Sequence, residues 1–192
     1  ERFDAVNEYG KSKGVVIEHY IISSGLKKII EGTEIAKNFC EIFASEFVYD
    51  EYGVPYWPAV ALNYTSKIQF LYRINKGIFD VSDDKNLNDS MEERNRRIPF
   101  CNMIYIGDGL TDVPSMKVTR LNGGHSIGVY ADEQENARKM MKAGRINFMA
   151  KADYTKDSEL MRIVKRIVDM LAAENDLMEL SLSQYDKSKE NF

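Results

Sequence analysis

The stretch Met103-Ile104-Tyr105-Ile106-Gly107-Asp108-Gly109-Leu110-Thr111-Asp112 decides how the chain folds. Its apolar run, Met103 to Ile106, reads as a buried strand that breaks on Gly-Asp-Gly. That break puts Asp108 at the carboxyl end of a strand, where open α/β sheets hold their ligands. Asp112 follows within a tight loop or a first helical turn, close enough to return beside Asp108. Neighbouring carboxylates repel unless a cation or proton lies between them. Hard oxygen ligands in a small, partly hydrated site suit Mg²⁺. The competing interpretation has Asp112 cap a helix and Asp108 make a turn.

On either side of this stretch, strands and helices alternate. Val15 to Ile22 is rich in β-branched residues and predicts a strand ending on Ser23-Ser24-Gly25, with a helix opening at Leu26. A strand that breaks into small hydroxyl and glycine residues before a helix offers an anion free backbone N–H groups and a serine hydroxyl. Taken alone, Ser24 is better read as a plain helix cap. His19, inside the apolar strand, reads as a packed core histidine. Ile42 to Tyr49 and Val54 to Leu62 form an expected antiparallel hairpin, and Pro55 and Pro58 mark it as an edge or flap. Tyr49, Tyr52, Tyr56 and Trp57 are either a substrate-facing surface or, as favoured here, packing beneath the hairpin.

Thr65 is a natural N-cap for a helix with Ile68, Leu71 and Tyr72 on its apolar side. Lys67 in its first turn is unfavourable against the helix dipole, and such local misfits gather at functional sites. It either neutralises a phosphate or a carboxylate nearby or is the solvated surface lysine that a lysine taken singly usually is. Residues 82–97 are highly charged and read as an exposed loop with a short helix. Beyond the Asp108 loop come a helix from Val113 to about Leu121, a strand over Ser126 to Tyr130, and a helix over Glu133 to Ala143. A strand over Ile146 to Ala150 and a last helix from about Asp157 to Ala173 follow. The expected fold is therefore α/β: a Rossmann-like, mostly parallel sheet with helices on both faces, plus a β-hairpin flap. Residues 1–14 are expected to be a linker and helix end, 15–180 the core, and 181–192 a polar, frayed tail.

Composition narrows the function. The chain has 192 residues, of which 44% are hydrophobic and 29% charged, enough for one soluble globular domain. A net charge of −4 and the lack of a Lys/Arg-rich block argue against nucleic-acid binding. No apolar stretch reaches the roughly 20 residues that span a bilayer, which argues against a membrane partner. Cys40 and Cys101 have no metal or disulfide spacing and read as buried thiols in a reducing, cytoplasmic setting.

Three separated pieces, Ser23-Ser24-Gly25, Lys67 and Gly107-Asp108-Gly109-Leu110-Thr111-Asp112, occur in an order that resembles the haloacid dehalogenase (HAD) superfamily. The phosphoserine-phosphatase-like branch is the most similar. The resemblance covers roughly residues 15 to 150, including the hairpin and Met116-Lys117. It implies a Mg²⁺-dependent phosphatase that hydrolyses a small phosphorylated metabolite through an aspartyl-phosphate. Carried onto this sequence, Ser23 would hydrogen-bond the phosphoryl group, with the amides of Ser24 and Gly25 nearby. Lys67 would pair with nucleophile and phosphate, Asp108 would ligate Mg²⁺, and Asp112 would support the metal directly or through water.

One departure is large. Such enzymes open with Asp-x-Asp-x-Thr/Val on a first strand, and its leading Asp is the nucleophile. No Asp-x-Asp follows an apolar strand near this N-terminus: Asp4 has no partner at position 6, and Asp83-Asp84 has the wrong spacing. The 22 residues before Ser23 leave no room for that motif and its cap. The chain is thus expected to be the carboxyl-terminal portion of such an enzyme, inactive alone. The alternative is a HAD-like binding or regulatory module without catalysis. A receiver-like phosphoacceptor would place its acidic group before the hydroxyl and its lysine last, the reverse of the order here.

Overall fold

The computed structural model describes residues 2–189. Two compact units emerge, one formed by the described parts of 1–17 and 151–192, the other by 18–150.

The larger unit is Rossmann-like α/β. Its strands are β1 (Tyr20–Leu26), β2 (Glu41–Tyr49), β3 (Pro55–Val60), β4 (Ile104–Gly107), β5 (His125–Tyr130) and β6 (Phe148–Lys151, whose last residue belongs to the smaller unit). They form two three-stranded sheets, ordered β1-β2-β3 and β4-β5-β6. β1 runs parallel to β2 and β4 parallel to β5, whereas β2 and β3 make the antiparallel hairpin. Helices α2 (Lys27–Glu31), α3 (Lys67–Lys76), α4 (Asp84–Asn88), α5 (Val113–Leu121) and α6 (Glu135–Lys142) connect them.

Both sheets border one hydrophobic core. Phe43, Leu62, Phe70, Leu71 and Ile74 meet Met103, Tyr105, Met116, Met140 and Ile146 there, with Tyr20 and Ile22 of β1 packed against the group. The buried side of α3 is Phe70, Leu71 and Ile74, while Tyr72 is 39% exposed and meets the ring of Phe100 edge-on. Gly77 closes α3 in a left-handed conformation, φ 74°, and its N–H donates to the carbonyls of Arg73 and Ile74. The charged segment 82–97 is anchored from α3. Arg73, fully buried, donates to the carbonyls of Asp80 and Val81 and to Asp84 Oδ1, and Lys76 Nζ donates to the carbonyls of Leu87 and Asp89.

Several expectations need correction. The first paired strand begins at Tyr20, not Val15, and runs through Ser-Ser-Gly to Leu26. Val16 is 88% exposed, so its β-branched character reflects no buried ladder. Cys40 is exposed and Cys101 half-buried, so neither is the expected core thiol. The hairpin aromatics do not pack underneath it: Tyr52, Tyr56 and Trp57 are 83%, 64% and 65% exposed. Among the described residues no further strand pairs beyond β3, so these side chains stay in solvent.

In the smaller unit, α1 (Arg2–Ser12) lies along α7 (Glu159–Lys189), and the Tyr9 hydroxyl donates to Asp169 Oδ1 at 2.6 Å. The helix predicted to stop near Ala173 therefore continues to Lys189, and the expected frayed tail is helical as far as it is described. Residues 190–192 lie outside the described residues. No helix among the described residues is long and apolar enough to cross a membrane.

Candidate functional site

The site is built where strands give way to loops. In the β1–β2 ladder, Ile22 pairs with Phe43 but Leu26 pairs with Ser45, so Ser23, Ser24 and Gly25 together face Ala44 alone. Such a bulge withdraws backbone groups from the ladder. The Ser23 hydroxyl accepts the Gly25 N–H at 3.0 Å, closing a small turn. Ser24 is no helix cap, because α2 starts after Leu26 and has no side-chain cap. Ser45 ties the bulge to the next piece: its Oγ donates to the Ser24 carbonyl at 3.2 Å and accepts the Leu62 N–H at 3.1 Å.

Lys67 enters from that direction. Asn63, not Thr65, organises the start of α3. Its side-chain oxygen accepts the N–H groups of Thr65 and Ser66 at 2.9 and 3.0 Å, and its carbonyl accepts the Lys67 N–H at 3.1 Å. This turn fixes Lys67 as the first helical residue and sends its long side chain inward, where the residue is 6% exposed.

There Lys67 meets Asp112. The ammonium donates to Asp112 Oδ1 at 2.7 Å, and the Tyr105 hydroxyl donates to the same oxygen at 2.8 Å. Asp112 Oδ2 accepts the Gly109 N–H at a long 3.4 Å. Asp112 occupies the N-cap position of α5 but makes no side-chain cap, so its carboxylate serves this corner and not the helix. Gly107 makes the approach possible: a Cβ there would lie 2.8 Å from the Cβ, Cγ and Oδ2 of Asp112. Burial, reinforced by the Asp112 charge, pushes the Tyr105 phenol well above its ordinary value, so it stays a donor at all working pH. A lysine and an aspartate this deep survive only when paired and hydrogen-bonded.

Asp108 differs in every respect. It is exposed at the loop's edge, with no side-chain hydrogen bond or ion pair among the described residues. Ser23 likewise makes no hydrogen bond to Lys67 or Asp108 among the described residues. The structure thus joins Lys67 to Asp112 directly, links the Ser23-Ser24-Gly25 bulge through Ser45 to Leu62, just ahead of the turn that opens α3, and leaves Asp108 without a partner among the described residues.

The donor set can be tested against Mg²⁺. No cluster of three or more His, Cys, Asp or Glu stands ready for a metal among the described residues. Mg²⁺, however, keeps several waters and needs only one or two carboxylates beside phosphate oxygens. Asp108 offers a whole carboxylate, and Asp112 offers Oδ2, because Oδ1 is already shared by Lys67 and Tyr105. The residues fit such a partly hydrated ion.

Sequence reasoning missed Tyr105, Asn63 and Ser45. Tyr105 was readable as the one polar-tipped residue in the apolar run before Gly107. Asn63 carried the signal of an Asx turn, a side-chain amide two residues ahead of Thr65. Nothing in the sequence pointed to Ser45.

No known family model matches the chain. It is similar to an uncharacterized protein of Borreliella burgdorferi, with 29% identity over 179 residues that cover 82% of this chain and 61% of that protein. The chain therefore spans about three fifths of the length of the relative it matches.

Proposed function

We propose that this chain is the carboxyl-terminal portion of a Mg²⁺-dependent phosphatase of haloacid dehalogenase type, acting on a small phosphomonoester through an aspartyl-phosphate. The observation that carries the proposal is the buried Lys67–Asp112 pair. It holds the Lys67 ammonium in place at the carboxyl end of β4, beside a loop whose other carboxylate, Asp108, has no partner among the described residues. A charge held without reorganisation is what phosphoryl transfer uses most. Asp108 would hold Mg²⁺, with Asp112 Oδ2 supporting it through water, and the bound ion would neutralise charge on the phosphoryl oxygens. The Ser23 hydroxyl, fixed by the Gly25 N–H, would orient those oxygens with its own proton.

The nucleophile would come from polypeptide outside these residues. Among the described residues β1 and β4 each have a hydrogen-bonded neighbour on one side only, both border the same core, and both end in candidate loops. Ile106, in the middle of β4, is 39% exposed although parallel strands are ordinarily buried on both faces. A further strand joining β1 to β4 would unite the two sheets and bring its own end to the site. A second reading, a phosphate-binding module without catalysis, is favoured by one observation: Lys67 already neutralises Asp112 with no metal needed.

Titration calorimetry with Mg²⁺ and then inorganic phosphate tests the proposal. Asp108→Asn should abolish Mg²⁺ binding. Lys67→Met, checked for folding by circular dichroism, should keep Mg²⁺ but lose phosphate, and Ser23→Ala should weaken phosphate less. The chain alone should show no turnover of p-nitrophenyl phosphate. Phosphate binding indifferent to both Mg²⁺ and Asp108→Asn would favour the binding module and end the phosphatase proposal.

A further inference from the structure

The second half of α7 carries an apolar seam that nothing among the described residues covers. Met161, Val164, Val168, Leu171, Asn175, Met178, Leu182 and Tyr185 recur in alternating steps of three and four residues, the spacing of one helix packing along another. The fold uses the first part of this seam. Met161, Val168 and Leu171 are 7%, 3% and 8% exposed, and α1 lies along this stretch with Lys165 5.4 Å from the Tyr9 ring centre. From Ala173 to Lys189 every residue is exposed, although the spacing continues unbroken. Met178, Leu182 and Tyr185 are 61%, 57% and 58% exposed. This length, about 25 Å of helix, is marginal in water without a packed face.

We propose that residues 173–189 dock an amphipathic helix of another protein whose flanking positions are basic. Charge selects the partner. The positions bordering the exposed seam are Glu174, Glu179, Ser181 and Asp186, and none is basic. Two copies side by side in parallel would set Glu174 of one against Glu179 of the other, and an antiparallel pair would bring Glu179 against Glu179 or Asp186. Like charges there oppose pairing, whereas Lys or Arg on the incoming helix would complement all three acids. Asn175, the single polar residue within the seam, selects one register by demanding a polar partner. This inference concerns α7 alone and does not depend on the phosphatase proposal.

The probe is a labelled three-heptad peptide with Leu at the seam, one Asn facing Asn175, and Lys at every flanking position. An otherwise identical peptide has Glu there. Fluorescence anisotropy should show the Lys peptide binding at least about tenfold more tightly than the Glu peptide, and losing most of that advantage in about 0.5 M salt. Met178→Glu combined with Leu182→Glu should abolish binding. Leu177→Glu, exposed but off the seam, should not. Sedimentation should find the chain monomeric without peptide. Equal binding of both peptides, equal damage from Leu177→Glu, or a self-associated chain that the double variant dissociates would each overturn the proposal. So would a longer polypeptide bearing this sequence that no longer takes the Lys peptide, because its own segment would then be the occupant.

Discussion

Asp108 and Asp112 share one short loop and one side-chain chemistry, yet the fold treats them oppositely. Asp112 is 6% exposed and satisfied by Lys67, Tyr105 and the Gly109 amide. Asp108 is exposed, with no protein partner among the described residues. A buried carboxylate must be held by its own protein, while an exposed one is free for something else to hold. The contrast makes Asp112 part of the corner's own packing and leaves Asp108 open to solvent, although the sequence motif presents them as a pair.

The sharpest way to break that contrast is to remove each carboxylate and measure urea unfolding. Asp112→Ala strands the Lys67 ammonium in the interior and should cost about 3–5 kcal/mol. Asp108→Asn should change stability by less than about 0.5 kcal/mol, as for other exposed substitutions. Equal losses would mean that Asp108 too is structural.

A smaller effect refines the account of the corner. Tyr105→Phe removes one of the donors to Asp112 Oδ1 and leaves the lysine in place, so the expected cost is about 1–3 kcal/mol. A neutral result would show that Lys67 alone satisfies that oxygen.

The smallest expected effect concerns pH. Burial lowers the His125 pKa from its ordinary value, and both ring nitrogens are buried without a hydrogen-bond partner among the described residues. His19 is lowered by the same cause. A lowered histidine favours the neutral form in the fold, so the unfolded chain binds more protons as pH falls through about 6.5. Stability should therefore be full above that pH and decline below it, before the carboxylates titrate. His125→Leu should flatten part of this slope in thermal melts between about pH 6.5 and 5, leaving the His19 share. An unchanged slope would mean that His125 gains water or a partner in solution.

What could be read in advance follows the strength of the local signal. The helix over Val113–Leu121 and the strand ending at Tyr130 came out as expected, because Asp-Val-Pro and Asn-Gly-Gly punctuate them unambiguously. The first half of the expected Val15–Ile22 strand misled, because β-branched residues favour extended backbone whether or not a neighbouring strand pairs with them, while Tyr20 to Ile22 do pair with β2. The Lys67 misfit did mark a buried ion pair, but its partner proved to be the same Asp112 that the motif offered to a metal. Ser45 acts through contacts with Ser24 and Leu62 that no linear pattern encodes, whereas Tyr105 stood in the apolar run as its one polar-tipped residue.

The exposed hairpin also has an optical consequence. Trp57 is the only tryptophan in the chain, lies within β3 paired with Val48 and is 65% exposed, and it is not one of the core residues gathered around Phe43, Phe70 and Met116. Its indole is already largely wetted in the native protein, so its emission has little left to shift on unfolding. Tryptophan fluorescence will therefore report what settles on the hairpin, and the loss of the core must be followed by another signal.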